Sequence, residues 1–177
     1  MATRDTLVED VENTINHGIK GDIEFAHSNG RIRATLILIY AGIDAMATLN
    51  MPEGQNEVKR KDFIEWVDKY LHIPGDVQLT GIDFYGARCG LLHSYGVQSR
   101  LSAQGEAREI DYWDSPLLPA VAITKREKPL LFINILALKK AFFDGVDTFL
   151  VSVLSDEKKA KLIQTRMKKF LLVLKNQ

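Results

Sequence analysis

The stretch Leu130-Leu-Phe-Ile-Asn134-Ile-Leu-Ala-Leu138-Lys-Lys-Ala-Phe142-Phe-Asp-Gly-Val146-Asp-Thr-Phe149-Leu-Val-Ser-Val-Leu154 decides the fold class. Its apolar residues recur at steps of three and four, so the whole run reads as one helix from Leu130 to Leu154. The sequence after it continues the same period: Ile163, Met167, Phe170, Leu171 and Leu174 share one face of a helix from Asp156 to Leu174. The opposite face is basic, with Lys158, Lys159, Lys161, Arg166, Lys168, Lys169 and Lys175 against Asp156 and Glu157.

The 3.6 period also governs the sequence before this stretch. Val8, Val11, Ile15, Ile19 and Ile23 line one stripe of a helix from about Asp5 to Ser28, weakened in its middle by Gly18 and Gly21. Arg31 to Asn50 is apolar on most sides, as a central bundle helix is. Lys59 to Leu71 forms a third helix, closed by Pro74-Gly75. Thr80 and Asp83 supply a capping box for a fourth, which runs to about Tyr95. Residues 96–128 are rich in Gln, Ser, Gly and Pro and contain the short apolar run Ala120-Val-Ala-Ile-Thr124, which reads as a loop or small hairpin. The expected fold is all-α: a single domain over 1–177, in which an up-and-down bundle of about six helices has a four-helix core at 1–95, an insertion at 96–128 and C-terminal helices at 129–177.

Composition sets the bounds on function. The 177 residues hold 23 Lys plus Arg and 23 Asp plus Glu, a formal net charge of 0, so no overall basic field attracts nucleic acid or an anionic membrane. A polyanion must then be met by a local patch, and the Lys-rich face of the last helix offers one. The single cysteine, Cys89, excludes an internal disulfide framework. No apolar segment follows the N-terminal Met-Ala-Thr-Arg, and Ala34 to Leu49 carries Asp44 in its middle, so a cytoplasmic protein without a membrane anchor is expected.

Chemistry concentrates in the fourth helix, Asp83-Phe-Tyr85-Gly-Ala-Arg88-Cys89-Gly-Leu-Leu-His93-Ser94-Tyr95. At 100° per residue, Ile82, Tyr85, Cys89 and Leu92 form one apolar stripe, expected to face the core, and Arg88 and His93 stand on its two shoulders about 140° apart. Gly86 and Gly90 lie on the His93 side, where another backbone can approach. A guanidinium matches phosphate and an imidazole exchanges protons near neutral pH, so the pair has the parts for metal-free cleavage of RNA. The alternative is an arginine in an ion pair and a histidine hydrogen-bonded within the bundle. Asp44, in an apolar helix, needs a partner if it is buried, and Arg88 or a tyrosine hydroxyl can serve. Glu24-Phe-Ala-His27 has the spacing of di-iron bundles but occurs once, so no metal site and no cofactor are expected. Trp66, Trp113 and Phe142-Phe143 read as core.

The segment Arg88-Cys-Gly-Leu-Leu-His93-Ser94 resembles the HEPN superfamily (higher eukaryotes and prokaryotes nucleotide-binding domains) with its Arg-x4–6-His motif. The likeness extends to Ile39-Tyr40-Ala-Gly-Ile43-Asp44-Ala-Met-Ala, to Arg60-Lys-Asp-Phe63-Ile-Glu-Trp66-Val-Asp-Lys-Tyr70-Leu and to Phe84-Tyr85, covering roughly Ala34 to Tyr95. The resemblance implies a helical homodimer whose two motifs share a cleft. It also implies RNA or a nucleotide as ligand and, in toxin–antitoxin relatives, an antitoxin protein as partner. Many such proteins are metal-independent endoribonucleases of toxin–antitoxin or defence systems; others only bind RNA or act as scaffolds. By position, Arg88 would hold phosphate and His93 would act as acid and base, with Asp44, Tyr85, Ser94 and Tyr95 supporting them. Cys89 departs from the polar residue common after the motif arginine. The competing expectation is a non-enzymatic helical dimer or interaction module in which Arg88 and His93 are structural.

Overall fold

The computed structural model describes residues 4–124 and 128–170. Its first three elements run on without a break: α1 (Arg4–Val11), a π-helical stretch (Glu12–Lys20) and α2 (Gly21–Ser28). The widened turns contain Gly18, one of the two glycines expected to weaken this helix, and the second, Gly21, opens α2. Gly30, at φ 66°, then turns the chain into α3 (Ile32–Asn50). α4 (Arg60–Tyr70) and α5 (Gly81–Ser94) follow, and then the short α6 (Arg100–Ala103). After the strands come α7 (Ile135–Leu154) and α8 (Glu157–Met167). The part of the expected last helix beyond 170, with Leu171, Leu174 and Lys175, lies outside the described residues.

The all-α expectation is corrected by a three-stranded mixed sheet, which makes the protein α+β. β1 (Glu109–Trp113), β2 (Val121–Ile123) and β3 (Leu130–Asn134) are arranged in the order β1-β3-β2. β1 runs parallel to β3, with Ile110 opposite Leu131 and Tyr112 opposite Ile133, while β2 is antiparallel to β3. The physical reason lies in Asn134. Its side chain accepts from the Leu136 N–H at 3.0 Å, capping α7, and its amide donates to the carbonyls of Ser115 and Leu118. The run that reads as one long helix is therefore a buried strand followed by a capped helix, two states that apolar periodicity cannot separate in so short a segment. Residues 96–128 are likewise more than an inserted loop or hairpin, since β1 and β2 sit on either side of β3.

The sheet belongs to the same core as the helices. Ile110, Leu131 and Ile133 join one apolar cluster with Ile15, Ile39, Ile43, Trp66, Phe84, Phe142 and Phe149. The Tyr112 hydroxyl is hydrogen-bonded to that of Tyr40 on α3, and burial pushes both phenols well above their ordinary pKa. Trp113, expected in the core, instead lies on the outer face of the sheet, stacked on Phe132 with ring centroids 5.1 Å apart and planes 9° from parallel. α3 is long and apolar enough to cross a membrane by length and composition, and half of its most apolar window is buried within the fold.

Candidate active site at α5

α5 starts on a network of anchored charges. Thr80 N–H donates to Asp83 Oδ2 at 3.1 Å, and Asp68 Oδ1 accepts from the Gly81 N–H at 2.5 Å. Arg108, just before β1, gives its backbone N–H and Nε to Asp83 Oδ1 and its Nη2 to Oδ2. Desolvation alone would raise the pKa of Asp83, but the Arg108 and Thr80 donors outweigh it and hold the carboxyl below the usual carboxylate range.

The buried face of this helix is made by Phe84, Ala87 and Leu91 together with Gly81, Gly86 and Gly90. Ile82, Tyr85, Cys89 and Leu92, expected in the core, are only half-buried and form the open side. The correction has a steric cause. A Cβ on Gly90 would lie 2.7 Å from the Gly96 carbonyl oxygen and one on Gly86 2.8 Å from the Ala107 Cβ, so the glycine side is occupied by the chain's own residues 96–107. The stripe is displaced outward, and Cys89 is a half-exposed free thiol.

Arg88 and His93 thus flank an open apolar stripe. Arg88, half-buried, donates from Nε and Nη2 to Asp44 Oδ2 at 3.1 and 2.9 Å, so Asp44 has the arginine partner its position calls for. The two partners gain unequally. Desolvation dominates at Asp44 and leaves its carboxyl above the ordinary pKa despite the guanidinium; Arg88 is desolvated too, but the adjacent carboxylate overrides this and holds its charge more firmly. Tyr85 packs edge-on against Phe63 at 5.4 Å, with the Arg60 guanidinium 5.6 Å above its ring, and burial raises its phenol pKa. Tyr85, Arg88 and Asp44 therefore form one contiguous group with Cys89.

His93 lies a turn further on, exposed, in a shallow hollow of about 510 Å³ shared with Cys89, Ser94, Gln98 and Arg100. Among the described residues no hydrogen bond joins Arg88 to His93. The Ser94 hydroxyl donates back to the Gly90 carbonyl at 2.8 Å. Tyr95 ends the helix at φ 53°, in the left-handed region, with its ring 68% exposed. Its N–H donates to the Leu91 carbonyl, the 5→1 bond of an αL cap, and that of Gly96 to the Gly90 carbonyl. Within one chain the six candidate residues thus divide into Asp44-Tyr85-Arg88, beside the middle of α5, and His93-Ser94-Tyr95, at its C-terminal end.

Elsewhere, Glu24 and His27 are engaged with Lys139, whose Nζ lies 2.8 Å from Glu24 Oε2 and 3.3 Å from His27 Nδ1, while His27 Nε2 faces Asp114 at 3.4 Å. No group of three potential metal ligands occurs among the described residues. Sequence reasoning missed Arg31, Arg33 and Arg100, three exposed guanidiniums near α5 without a partner among the described residues. The available signal was the absence of any Asp or Glu within four positions of each, a signal shared with Arg88 and Arg166, which find partners on distant elements. No family model, curated protein or solved structure matches the chain.

Proposed function

We propose that two copies of this chain pair through the open face of α5 as a HEPN-like, RNA-binding, metal-independent endoribonuclease, of the kind that toxin–antitoxin or defence systems use. The single observation that carries this reading is the half-exposed Tyr85-Cys89-Leu92 stripe with the half-buried Arg88 and the exposed His93 on its shoulders. An apolar helix face left open between a cation and an imidazole is suited to a second copy, and a two-fold across it doubles both groups around one cleft.

In that cleft His93 accepts the proton of a ribose 2′-hydroxyl, and the freed oxygen attacks the adjacent phosphorus. Arg88 stabilises the charge on the phosphorane oxygens, and the bond to the 5′-oxygen breaks, that oxygen receiving its proton from the imidazolium of the second copy. The products are a 2′,3′-cyclic phosphate and a 5′-hydroxyl. Asp44 positions Arg88, and Tyr85 walls the site beside it.

Purified protein incubated with RNA in EDTA is expected to yield cyclic-phosphate ends. His93→Ala should abolish them while shifting stability by less than about 0.5 kcal/mol, since the side chain is exposed and has no partner among the described residues. Cleavage that survives this substitution removes the assignment. The Arg88–Asp44 pair favours a second reading, a non-enzymatic helical interaction module. Its signature is intact RNA together with a lowered melting temperature in Arg88→Ala.

A further inference from the structure

Seven of the arginines have described side chains, and four of them are engaged: Arg60 by Glu106, Arg88 by Asp44, Arg108 by Asp83 and Arg166 by the carbonyls of Leu49, Met51 and Pro52. The remaining three, Arg31, Arg33 and Arg100, are exposed and have no hydrogen-bond or ion-pair partner among the described residues. They are not scattered. Arg31 and Arg33 line a hollow of about 650 Å³ with Leu91, Tyr95 and Gly96, and Arg100 lines the His93 hollow. Tyr95 lines the first hollow and Ser94 the second, so the three unpartnered guanidiniums stand on two different sides of the C-terminal end of α5. One carboxylate, Asp111, reaches the first hollow, where its Oδ1 accepts from the Tyr112 N–H.

We infer that this end of α5 is a track for single-stranded RNA, with Arg31 and Arg33 holding phosphate on one side of Tyr95, Arg100 holding phosphate on the other, and the tyrosine ring stacking a base between them. The inference rests on the proposed RNA reading and deepens it by naming the residues that bind the strand on either side of His93. Cations on two sides of one helix end call for a ligand with repeated negative charge that passes over that end, which a single phosphate lacks. A ring exposed between them favours a nucleic acid over an acidic peptide, because bases offer a face to stack and carboxylate side chains do not. The lysines of α8 are a weaker rival, since Lys161 lies 2.6 Å from Glu157 and Lys159 lies 4.0 Å from Asp156. With Arg88 held by Asp44, the free guanidiniums supply long-range attraction, and His93 shares its hollow with Arg100.

The test is anisotropy of a fluorescein-labelled 12-nucleotide RNA, 2′-O-methylated throughout so that it cannot be cut, titrated with the full chain from about 50 to about 200 mM salt. Arg31→Ala/Arg33→Ala/Arg100→Ala should weaken binding at least about tenfold at the low end and reduce the slope of log affinity on log salt by about 2, as expected for three lost single-strand phosphate contacts. Tyr95→Ala should weaken binding about tenfold with the slope unchanged, since stacking involves no counterion. Lys158→Ala/Lys159→Ala/Lys161→Ala should stay within about twofold of the unmodified chain. Wild-type affinity and slope in the arginine triple variant, or a larger loss in the lysine triple, overturns the track. A 12-residue poly-glutamate that displaces the RNA at equal concentration overturns the choice of nucleic acid. The two proposals fail separately. Arginine-dependent binding without His93-dependent cleavage leaves the track and removes the nuclease. Cleavage that depends on His93 yet ignores all three arginines does the reverse.

Discussion

The two ends of α5 treat charge in opposite ways. At the N-terminal end Asp83 is 3% exposed and takes hydrogen bonds from Thr80 and from three nitrogens of Arg108, so both oxygens are filled. At the C-terminal end His93 and Tyr95 are exposed, and the arginines that line their hollows, Arg31, Arg33 and Arg100, have no side-chain partner among the described residues. The Arg88–Asp44 pair stands between these extremes, with about a quarter of each side chain accessible. One helix thus carries a gradient from charge spent on holding the fold to charge left available. A buried carboxylate without partners is costly, whereas an exposed guanidinium without one costs little, so freedom of this kind is sustainable only where water reaches.

Breaking the closed end should have the largest effect. Asp83→Asn turns one acceptor oxygen into a donor facing Arg108 or Thr80, and equilibrium urea unfolding should register a loss of about 3 kcal/mol, the scale for disrupting a buried charge pair. A comparable substitution at Asp44 should cost only about 1 kcal/mol, because about a quarter of each side chain of its pair is open to solvent. A loss at Asp44 equal to that at Asp83 would remove the gradient.

The pH dependence of the same two variants sharpens the contrast. Asp83 has a folded pKa below its unfolded one, so it stabilises the protein above the unfolded value of about 3.9, and this contribution fades as pH falls through the folded value. The stability gap between wild type and Asp83→Asn should therefore narrow on acidification below about pH 4. Asp44 has its folded pKa raised, so the folded state binds the proton more tightly than the unfolded state. Its contribution to stability must fall as pH rises from below about 3.9 through the folded value, and the gap between wild type and Asp44→Asn should narrow toward neutrality instead. Urea midpoints at several pH values between about 3 and 7 measure both slopes, and slopes of the same sign would contradict the opposed shifts.

How much of this was legible depends on which physical effect carried the signal. The helices around Ile15, Ile39, Phe63 and Phe149 could be read because amphipathic period and burial coincide there. β3 could not, since Leu130 to Ile133 is apolar at every position and fits a strand as well as a helix; only Asn134, read as a cap, marks the junction. β1 was legible in principle, because Glu109-Ile-Asp-Tyr alternates strictly and places Ile110 and Tyr112 on the inner face. The cost of a lone buried carboxylate called for a partner at Asp44 and left Arg88 and a tyrosine hydroxyl as candidates, between which only the tertiary contact on α5 chooses. The outward turn of Cys89 did not follow, because it depends on residues 96–107 folding back over Gly86 and Gly90, a tertiary event that a helical wheel omits.

The smallest expected effect probes the open end. Tyr95 holds a left-handed backbone that costs a non-glycine residue about 1–2 kcal/mol, and no hydrogen bond to its hydroxyl offsets this. Tyr95→Gly should relieve that strain while adding about 0.4–1 kcal/mol of unfolded-chain entropy, for a net gain of about 0.5 kcal/mol in urea unfolding. The same substitution removes the ring between the two hollows, so it should weaken RNA binding while it strengthens the fold. Stability and binding moving in opposite directions at one residue would mean that the tyrosine is retained for what it touches outside the chain. A variant that loses both would make Tyr95 part of the packing, and the gradient along α5 would then end one residue earlier, at Ser94.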